Sequence, residues 1–348
     1  MRKHRIALIG LGMAVTPHAR GLMDLHDRVE VVGAFSPSDA RRKSFAARFP
    51  FPMIGSLEAV LDDSSVGIVA ILTPPNTHLE LVSRAAAAGK HILLEKPLEI
   101  STDRAIALVE CCRAAGVRLG VMLQHRFRPA GMRLRAMIDA GELGAITGCS
   151  TSIRLWRPQS YYDEPGRGTK ARDGGGVLIT QGIHTLDLML SLAGPVAEVR
   201  GYGATTSVHR METEDMVCAA VKFANGALGV IDATTTAYPG FPERIEIAAE
   251  KATAVIAGTE LKVFHHDGRV TEMQVDASSG GTGADPMAFP HDYHRDATAD
   301  FLDAVENDRE PTVSGTEALR VHRLIDALLQ AATTGKTVSV NSERRSAG

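Results

Sequence analysis

The sequence contains few cysteines, and their positions argue against a zinc site and against a disulfide-rich fold. The four thiols stand at positions 111, 112, 149 and 218 of a 348-residue chain. This spacing matches neither the paired ligand motifs of zinc sites nor the framework of a disulfide-rich secreted domain. We therefore expect no metal site, and a reducing, cytoplasmic location fits this usage best.

Aromatic residues are few, and neither sign of charge is in large excess. Aromatic residues make up 5% of the chain, and the net charge is −3 with both signs mixed along it. Nucleic-acid binding proteins usually carry a basic stripe, often with interleaved aromatic residues, and none is found here. Nucleic acid is therefore not an expected partner.

Long apolar runs are absent as well. The basic start Met1–Arg5 is followed by only four apolar residues before Gly10, which is too short for a signal peptide. We expect no stretch long enough to span a bilayer, and therefore no membrane partner. What is present, 44% hydrophobic and 23% charged residues, is typical of a globular chain of two domains.

The first part of the chain alternates predicted strands and helices. The strands are predicted at 5–12, 29–35, 66–72, 91–94 and 118–123, and the helices at 13–25, 79–88 and 102–115. This alternation predicts an α/β fold with a doubly wound parallel sheet. Gly10-Leu11-Gly12, between the first strand and the first helix, is a glycine turn of the kind that cradles a pyrophosphate. The third glycine of the usual fingerprint is replaced by Val15.

The stretch from Ala88 to Leu98 places a lysine at the end of a buried strand. Gly89 ends the preceding helix, and Pro97 ends the strand because it cannot donate to the ladder. Ligands of open α/β sheets bind beyond the carboxyl ends of the strands, where a partly desolvated lysine can exchange protons near neutral pH. From spacing alone, Lys96 is either such a functional base or an ordinary surface lysine.

The end of the second strand bears on cofactor preference. Ser36 stands where an NAD-binding fold usually has an acid that binds the ribose hydroxyl, and Arg41 and Arg42 follow closely. A hydroxyl together with cations suits a 2′-phosphate, so the sequence favours NADP over NAD. The alternative, that both arginines are solvated residues of the next helix, stays open.

Beyond residue 124 the pattern changes to a large, mostly antiparallel sheet. After a helix at 129–140, strands are predicted at 146–156, 196–209, 215–223, 227–236, 243–249, 252–257, 260–265 and 269–275. Asn225-Gly226 and Asp267-Gly268 predict hairpin turns. The glycine-rich stretch 278–284 is interpreted as a mobile loop and a candidate lid, and helices at 292–307 and 315–334 close the chain.

Three glycines at 174–176 precede a predicted helix that carries His184 and Asp187. These two residues are three positions apart and therefore share a helical face. A lone histidine on an apolar helix is more often a hydrogen-bonded core residue than a catalyst. His184 taken alone is therefore interpreted as structural.

Together these motifs resemble the glucose–fructose oxidoreductase and inositol dehydrogenase (Gfo/Idh/MocA) family. The resemblance runs over nearly the whole chain, and Glu95-Lys96-Pro97 is its most specific part. The other matching segments are Gly10-Leu11-Gly12, residues 73–78, residues 88–91, Gln124 with Arg126-Phe127 and Pro129, and residues 174–187. The resemblance implies a Rossmann domain at 1–124 and an α/β domain at 125–340. The open sheet of the second domain would serve subunit association in a dimer or tetramer.

The resemblance also implies the site residues. Lys96 matches the catalytic lysine of the family and His184 its catalytic histidine, with a cis peptide expected before Pro97. The residues expected to bind NAD(P) are Gly10, Gly12, Met13, Ser36, Arg41, Thr73, Pro74, Asn76, His78, Glu95, Lys96 and Gln124. Thr180 stands where many members carry an aspartate four residues before the histidine, so a three-residue proton relay is not expected.

Polar and aromatic residues are the candidates for contact with the substrate. They are Arg154, Trp156, Tyr161, Tyr162, Lys170, Arg172, Thr180, His184 and His294. Trp156 is interpreted either as a platform for a sugar ring or as a packing residue. The expected function is hydride transfer between the nicotinamide and a hydroxyl-bearing carbon of a sugar, polyol or sugar derivative. Two alternatives stay open: a glycoside hydrolase that uses tightly bound NAD, and a dinucleotide-sensing regulator without turnover.

Overall fold

The structure is a computed structural model that describes residues 3–274 and 290–340. The predicted lid at 278–284 lies outside these residues. The chain forms two compact units. The first contains Met1–Gln124 and His291–Leu319, and the second contains His125–Pro290 and Arg320–Gly348.

The elements alternate before residue 125 and are mostly strands after it. The first group is β1 (His4–Ile9), α1 (Val15–Asp24), β2 (Val29–Phe35), α2 (Asp39–Ala46), α3 (Leu57–Leu61), β3 (Ile68–Ile71), α4 (His78–Ala87), β4 (His91–Leu94), α5 (Thr102–Ala114) and β5 (Leu119–Val121). The second group is α6 (Pro129–Asp139), β6 (Ile146–Arg154), α7 (Gln159–Tyr162), α8 (Lys170–Asp173), α9 (Ile183–Ala193), β7 (Val196–Ala204), β8 (Met216–Phe223), β9 (Leu228–Thr234), β10 (Arg244–Ala249), β11 (Ala252–Ala257), β12 (Glu260–His265) and β13 (Val270–Met273). The closing elements are α10 (Asp292–Glu306), α11 (Gly315–Thr334) and β14 (Val338–Ser339).

The first unit contains a five-stranded parallel sheet in the order β2-β1-β3-β4-β5. All four residues of β3 are buried, as expected for a strand covered by helices on both faces. Serine side chains begin three of the helices by accepting a backbone N–H three residues on: Ser38 at α2, Ser56 at α3 and Ser101 at α5. The predicted doubly wound sheet is confirmed.

Helix α10 adds a late segment of the chain to this first unit. It packs against α1 at Gly21, where a Cβ atom would lie 3.1 Å from the backbone N and Cα of Arg295. The absence of a side chain at Gly21 therefore lets the two helices approach closely. The sequence-based division at residue 125 assigned residues 291–319 to the second domain, whereas this packing places them in the first.

The second unit contains a nine-stranded sheet in the order β13-β12-β11-β10-β6-β9-β8-β7-β14. Only the pairing of β6 with β9 is parallel among the described pairs of this sheet, so the predicted antiparallel character is confirmed. Asn225-Gly226 joins β8 to β9 and Asp267-Gly268 joins β12 to β13, with both glycines at positive φ (91° and 89°). The two predicted hairpins are therefore present.

Within residues 3–274 and 290–340, helices cover one face of this sheet and leave the other uncovered. Burial alternates along β8, and Ile153 of β6 is fully buried beneath the helix that carries His184. On the opposite face large apolar side chains stay exposed, among them Tyr202 at 77% and Leu228 at 65%. This uncovered apolar face is the feature that an association surface needs.

In the part of the chain that the structure describes, one helical stretch, Lys170–Ala193, is long and apolar enough to cross a membrane by length and composition. The prediction that no stretch reaches this length is therefore wrong. The most apolar window of the stretch is 83% buried inside the protein. Its apolar character is that of a core helix.

Candidate functional site

The residues predicted to bind the cofactor follow the ends of five adjacent parallel strands. Gly10, Gly12 and Met13 follow β1, Ser36 follows β2, Thr73, Pro74, Asn76 and His78 follow β3, Glu95 and Lys96 follow β4, and Gln124 follows β5. Because the carboxyl ends of parallel strands meet at one edge, the fold brings these eleven to the same edge of the sheet, and the twelfth predicted residue, Arg41, lies in α2, the helix that follows β2. Such an edge is where open α/β sheets bind dinucleotides.

The glycine turn after β1 has the geometry of a phosphate cradle. Gly10 has φ of 101°, and a Cβ there would lie 2.8 Å from the carbonyl carbon of Leu72. Gly12 has open space around it, with no atom within 4 Å of a Cβ position. Met13, which follows, is 55% exposed. The first glycine is therefore required by the fold, and the second leaves room for a ligand to approach the backbone.

The side chain of Gln124 leaves a buried polar atom without a partner among the described residues at the end of β5. Its side chain is buried, at 8% exposure, and its Oε1 atom has no hydrogen-bond partner among the described residues. A buried amide oxygen without a partner is costly unless a ligand or water fills the position. A dinucleotide, which offers both donors and acceptors, fits this requirement.

His78 holds two loops of this edge together. The ring is fully buried, with Nε2 2.9 Å from the Thr73 oxygen and Nδ1 3.0 Å from the Pro97 oxygen. Burial lowers the pKa of His78, and a ring in the neutral form has one N–H, which it donates to one of these two oxygens. The structure therefore gives His78 a role in fixing the loops that carry Thr73 and Lys96, rather than an open position beside a ligand.

Lys96 lies half-buried at the end of β4, next to a buried carboxylate. The Glu95 side chain accepts the Lys96 backbone N–H at 3.0 Å, and the peptide between Lys96 and Pro97 is cis, as the resemblance implies. The other Glu95 oxygen lies 2.6 Å from His18 Nε2. Burial alone would raise the pKa of Glu95, but the hydrogen bond and charge of His18 hold it below its ordinary value.

His294 belongs to this buried cluster. Its ring is 3% exposed, and its centroid lies 5.1 Å from the His18 ring in an edge-to-face arrangement. Burial lowers the pKa of His294 to about 3. The structure therefore places this predicted substrate residue in the core of the first unit, beside Glu95, because α10 packs on α1.

His18, Glu95 and His294 are also residue types that hold metal ions. Their ligand atoms lie within 4.8 Å of one another. The spacing of 2.6 Å between His18 Nε2 and Glu95 Oε1 is that of a short hydrogen bond. The arrangement is thus a hydrogen-bonded cluster behind Lys96, which sequence reasoning missed because its members are far apart in the chain.

The two arginines after β2 differ in their surroundings. Arg42 donates to the Ser36 carbonyl oxygen and pairs with Asp39 at 3.2 Å, so it ties the strand end to α2. Arg41 is exposed. The Ser36 side chain is itself buried, at 2% exposure. Of the two cations, Arg41 is the one that faces solvent.

In the second unit His184 lies in the first turn of α9, directly after a π-helical turn at Leu178–Gly182. Glu214 closes the start of this helical stretch by accepting the N–H groups of Gly176 and Leu178 at 3.0 and 3.3 Å. A Cβ at Gly176 would lie 1.8 Å from the Glu214 oxygen. The glycines are thus explained by close packing, and π-helical turns frequently occur at functional sites.

A buried ion pair fixes the orientation of α9. Arg126 donates two hydrogen bonds to Asp187, at 2.7 and 2.6 Å, and Asp187 is fully buried. The prediction that His184 and Asp187 share a helical face is consistent with this geometry, since Asp187 lies one turn further along α9. His125, next to Arg126, stacks on His184 with 4.9 Å between ring centroids. The sequence did not lead to a prediction for His125, although it stands between Gln124 and Arg126, which belong to the family resemblance.

The remaining substrate candidates are spread over the second unit. Arg154 points to the face of the sheet opposite α9 and pairs with Asp232, so the structure does not bring it together with His184. Trp156 packs edge-to-face on Tyr238, at 5.5 Å. Lys170 is exposed at the start of α8.

Three further candidates and Thr180 are held by hydrogen bonds. The buried Tyr162 hydroxyl donates to Thr235 at 3.0 Å, and burial raises the pKa of Tyr162 to about 12. The Arg172 side chain donates to the Pro165 oxygen at 2.7 Å. The Thr180 hydroxyl donates to the Gly176 oxygen at 2.6 Å. The Tyr161 hydroxyl accepts a hydrogen bond from Arg167 at 2.9 Å.

Comparison with known proteins places both units in one family. The family model described as "Oxidoreductase family, NAD-binding Rossmann fold" matches residues 4–123, and that of the "GFO/IDH/MocA C-terminal domain" matches residues 132–255. Myo-inositol 2-dehydrogenase of Thermotoga maritima is 26% identical over 90% of this chain and 91% of its own. D-xylose 1-dehydrogenase (NADP(+)) 2 of Haloferax volcanii is 27% identical over 90% of this chain and 92% of its own.

A solved structure extends the likeness to the whole chain. The WlbA dehydrogenase from Bordetella pertussis, in complex with NADH and UDP-GlcNAcA, superposes with a TM-score of 0.84 at 28% identity. The match covers 98% of this chain and 100% of that one. Each unit thus has the fold of the corresponding part of a dehydrogenase whose structure contains NADH.

Proposed function

The chain belongs to the GFO/IDH/MocA family of oxidoreductases, and we propose that it transfers a hydride between NAD(P) and a hydroxyl-bearing carbon of a sugar, polyol or sugar derivative. The observation that carries the proposal is Glu95-Lys96-Pro97 at the carboxyl end of β4, on the same sheet edge as the glycine turn of β1. The two relatives named above are dehydrogenases of inositol and xylose, which favours this reaction over the hydrolytic and regulatory alternatives.

Lys96 is the proposed proton acceptor in the oxidative direction. Oxidation of an alcohol requires that a base take the hydroxyl proton while the hydride leaves the carbon. The nicotinamide, when bound, supplies the hydride acceptor. Lys96 lies half-buried at the strand end, and its backbone is held by the Glu95 carboxylate. This support fixes the backbone that carries the proposed base.

His184 is the proposed partner that positions the substrate oxygen. Its ring is partly exposed on α9, whose orientation is fixed by the Arg126–Asp187 ion pair. A partly exposed imidazole on a rigid helix can donate to or accept from a substrate hydroxyl. In this proposal Lys96 moves the proton and His184 fixes the oxygen that carries it.

The proposed cofactor is NAD(P), with a preference for NADP. The exposed guanidinium of Arg41 beyond β2 is available to a 2′-phosphate, and no carboxylate follows β2 at the position of Ser36. Gly12, Met13 and Gln124 would hold other parts of the dinucleotide.

The test is a panel of substrates followed by the absorbance of reduced cofactor. Purified protein is given NAD or NADP with myo-inositol, scyllo-inositol, D-xylose, other aldoses, sugar acids and anhydrosugars. We expect reduction with at least one member, and its loss in Lys96→Ala. Hydrolysis of aryl glycosides by protein that retains cofactor, or cofactor binding without any turnover, would contradict the proposal.

We also propose that the protein is a homo-oligomer, a dimer or tetramer, associated through the uncovered sheet face. Val230 and Phe264 are 49% and 45% exposed on the sheet, and Tyr202 and Leu228 are more exposed still. Light scattering after gel filtration measures the mass directly. A monomer at micromolar concentration would contradict this part of the proposal.

A further inference from the structure

Thr180 does not supply an acid beside His184. Its hydroxyl donates to the Gly176 oxygen and contacts Gln181 Oε1, both within the same helical segment. A threonine hydroxyl does not ionise near neutral pH, so it cannot share a titrating proton with an imidazole. A titratable ring packed against His184 comes from another part of the second unit.

That ring is His125. It is 5% exposed, its centroid lies 4.9 Å from that of His184, and the two planes meet at 30°. Two protonated imidazoles at this distance repel each other, so near neutral pH the stacked pair holds at most one extra proton. The question is which of the two rings takes it.

Arg128 decides the protonation of His125. Its Nη2 donates to His125 Nε2. A guanidinium has only donors, so Nε2 of His125 must present its lone pair, and the single ring proton lies on Nδ1. Nδ1 faces Glu243 Oε2 at 3.7 Å, and Arg128 donates to the same oxygen at 3.4 Å. His125 is therefore neutral, with Nε2 held by the Arg128 hydrogen bond and Nδ1 turned toward the Glu243 carboxylate.

Two ion pairs of the described residues lie near the two rings. Glu243 and Arg128 neutralise each other next to His125, with side chains 17% and 18% exposed. Arg126 and Asp187 form the second pair, one turn along α9 from His184. Neither ion pair therefore carries a net charge that would set the protonation state of His184.

We propose that His125 is a positioning residue that orients the ring of His184. Because Arg128 and Glu243 hold His125 neutral, His184 is the ring of the pair that takes the proton. His184 thus has a positioning group from another segment of the chain, whereas the family resemblance implies an aspartate at position 180. The inference rests on the proposed function in so far as His184 acts on the substrate. The assignment of protons in the pair does not depend on it.

The proton assignment is tested without a substrate, by nitrogen and carbon NMR of the full chain labelled in its histidines. The signals of His125 and His184 are identified by their loss in His125→Phe and His184→Gln. We expect His125 to stay neutral, with its proton on Nδ1, from about pH 8 down to about pH 5, and His184 to titrate in that range.

Glu243→Gln is the decisive variant. It removes the negative charge and leaves the positive charge of Arg128 uncompensated beside the rings. The midpoint of the His184 titration should therefore fall by about half a pH unit or more. Glu246→Gln is the matched control, because it removes the same charge from the opposite face of the same sheet, where Glu246 pairs with Arg244 at 2.7 Å. Titration of His125 above about pH 5, a proton on its Nε2, or equal midpoints in the two variants would overturn the assignment.

The positioning role is tested by kinetics with a substrate found in the panel. His125→Phe keeps a flat ring against His184 but removes both nitrogens. We expect kcat to fall about tenfold or more and the acidic limb of its pH profile to move, with KM for the cofactor unchanged. An unchanged kcat and pH limb would overturn the role. A wild-type protein inactive on every substrate would instead overturn the proposed function and leave the titration result standing.

Discussion

The two units position their candidate residues in different ways. In the first unit the residues follow one another at the ends of five adjacent strands, so the order of the strands alone brings them to one edge. In the second unit His184 packs against His125, which Arg128 and Glu243 surround, and Glu214 accepts the N–H groups at the start of the helical stretch that carries His184. Topology thus builds the first site, and side-chain packing builds the second.

The units also differ in how they support the residue that carries the chemistry. Lys96 has a buried carboxylate beside it, and Glu95 is held by His18 through a single short hydrogen bond. His184 lies next to a neutral ring that is fixed by an ion pair. The first arrangement places charge near the functional group, whereas the second keeps net charge away from it. Each difference can be tested by removing one side chain.

The largest effect is expected from Lys96→Met. The variant removes the amine and keeps the length of the side chain, so proton transfer is lost while the fold is kept. We expect kcat to fall by about 10²–10⁴-fold, with cofactor affinity little changed. Steady-state kinetics and a fluorescence titration with reduced cofactor measure the two quantities.

Lys251→Met is the control for this prediction, because Lys251 is exposed in the second unit. It should leave kcat unchanged. A Lys96→Met enzyme with wild-type turnover would show that the first unit does not supply the proton acceptor.

The next effect is on stability and concerns the second unit. Asp187→Asn removes one charge from a pair whose side chains are 9% and 0% exposed, and leaves the Arg126 guanidinium buried without its counter-charge. Such a loss costs about 3–5 kcal/mol. Urea unfolding measures it as a lower midpoint.

Asp232→Asn is the matched control within the same unit. Its partner Arg154 is 47% exposed, so losing this pair should cost no more than about 1 kcal/mol. Equal costs for the two variants would mean that burial does not determine the strength of these ion pairs.

Some residue positions in the two units follow from local sequence pattern, and others depend on contacts between distant segments. Gly10 and Pro97 mark the ends of elements, so the position of Lys96 at a strand end follows from local pattern. The location of His294 does not, because it depends on the contact of α10 with Gly21, about 270 residues earlier in the chain. The alternation of buried Thr151 and Ile153 along β6 does indicate that Arg154 faces away from the helices.

A smaller effect is expected from the pH dependence of the first unit. His294 has a pKa of about 3 in the folded protein, whereas an unfolded histidine titrates near its ordinary value of about 6.5. Between these values the unfolded chain binds more protons, so stability falls as the pH decreases from about 6.5. The slope contributed by this one group is at most about 1.4 kcal/mol per pH unit.

His294→Phe should therefore reduce the loss of stability between about pH 7 and pH 5. The ring shape is kept, and the group that must stay neutral is removed. Urea midpoints at the two pH values measure the difference. His26→Gln is the control, because His26 is exposed and its variant should show the wild-type difference. A wild-type pH dependence in His294→Phe would show that burial of this ring does not limit acid stability.

The smallest effect is expected from Arg41→Ala, which concerns the choice between the two cofactors. An exposed guanidinium on a phosphate contributes about 1 kcal/mol, so kcat/KM for NADP should fall about fivefold relative to NAD. Arg42→Ala is the matched control, since Arg42 is bound to the Ser36 carbonyl oxygen and to Asp39 and should affect both cofactors alike. If the NADP to NAD ratio stays unchanged in Arg41→Ala, the end of β2 does not read the 2′-phosphate. The exposed cation would then belong to the solvated face of α2, and the preference for NADP would lose its only structural support on the described residues.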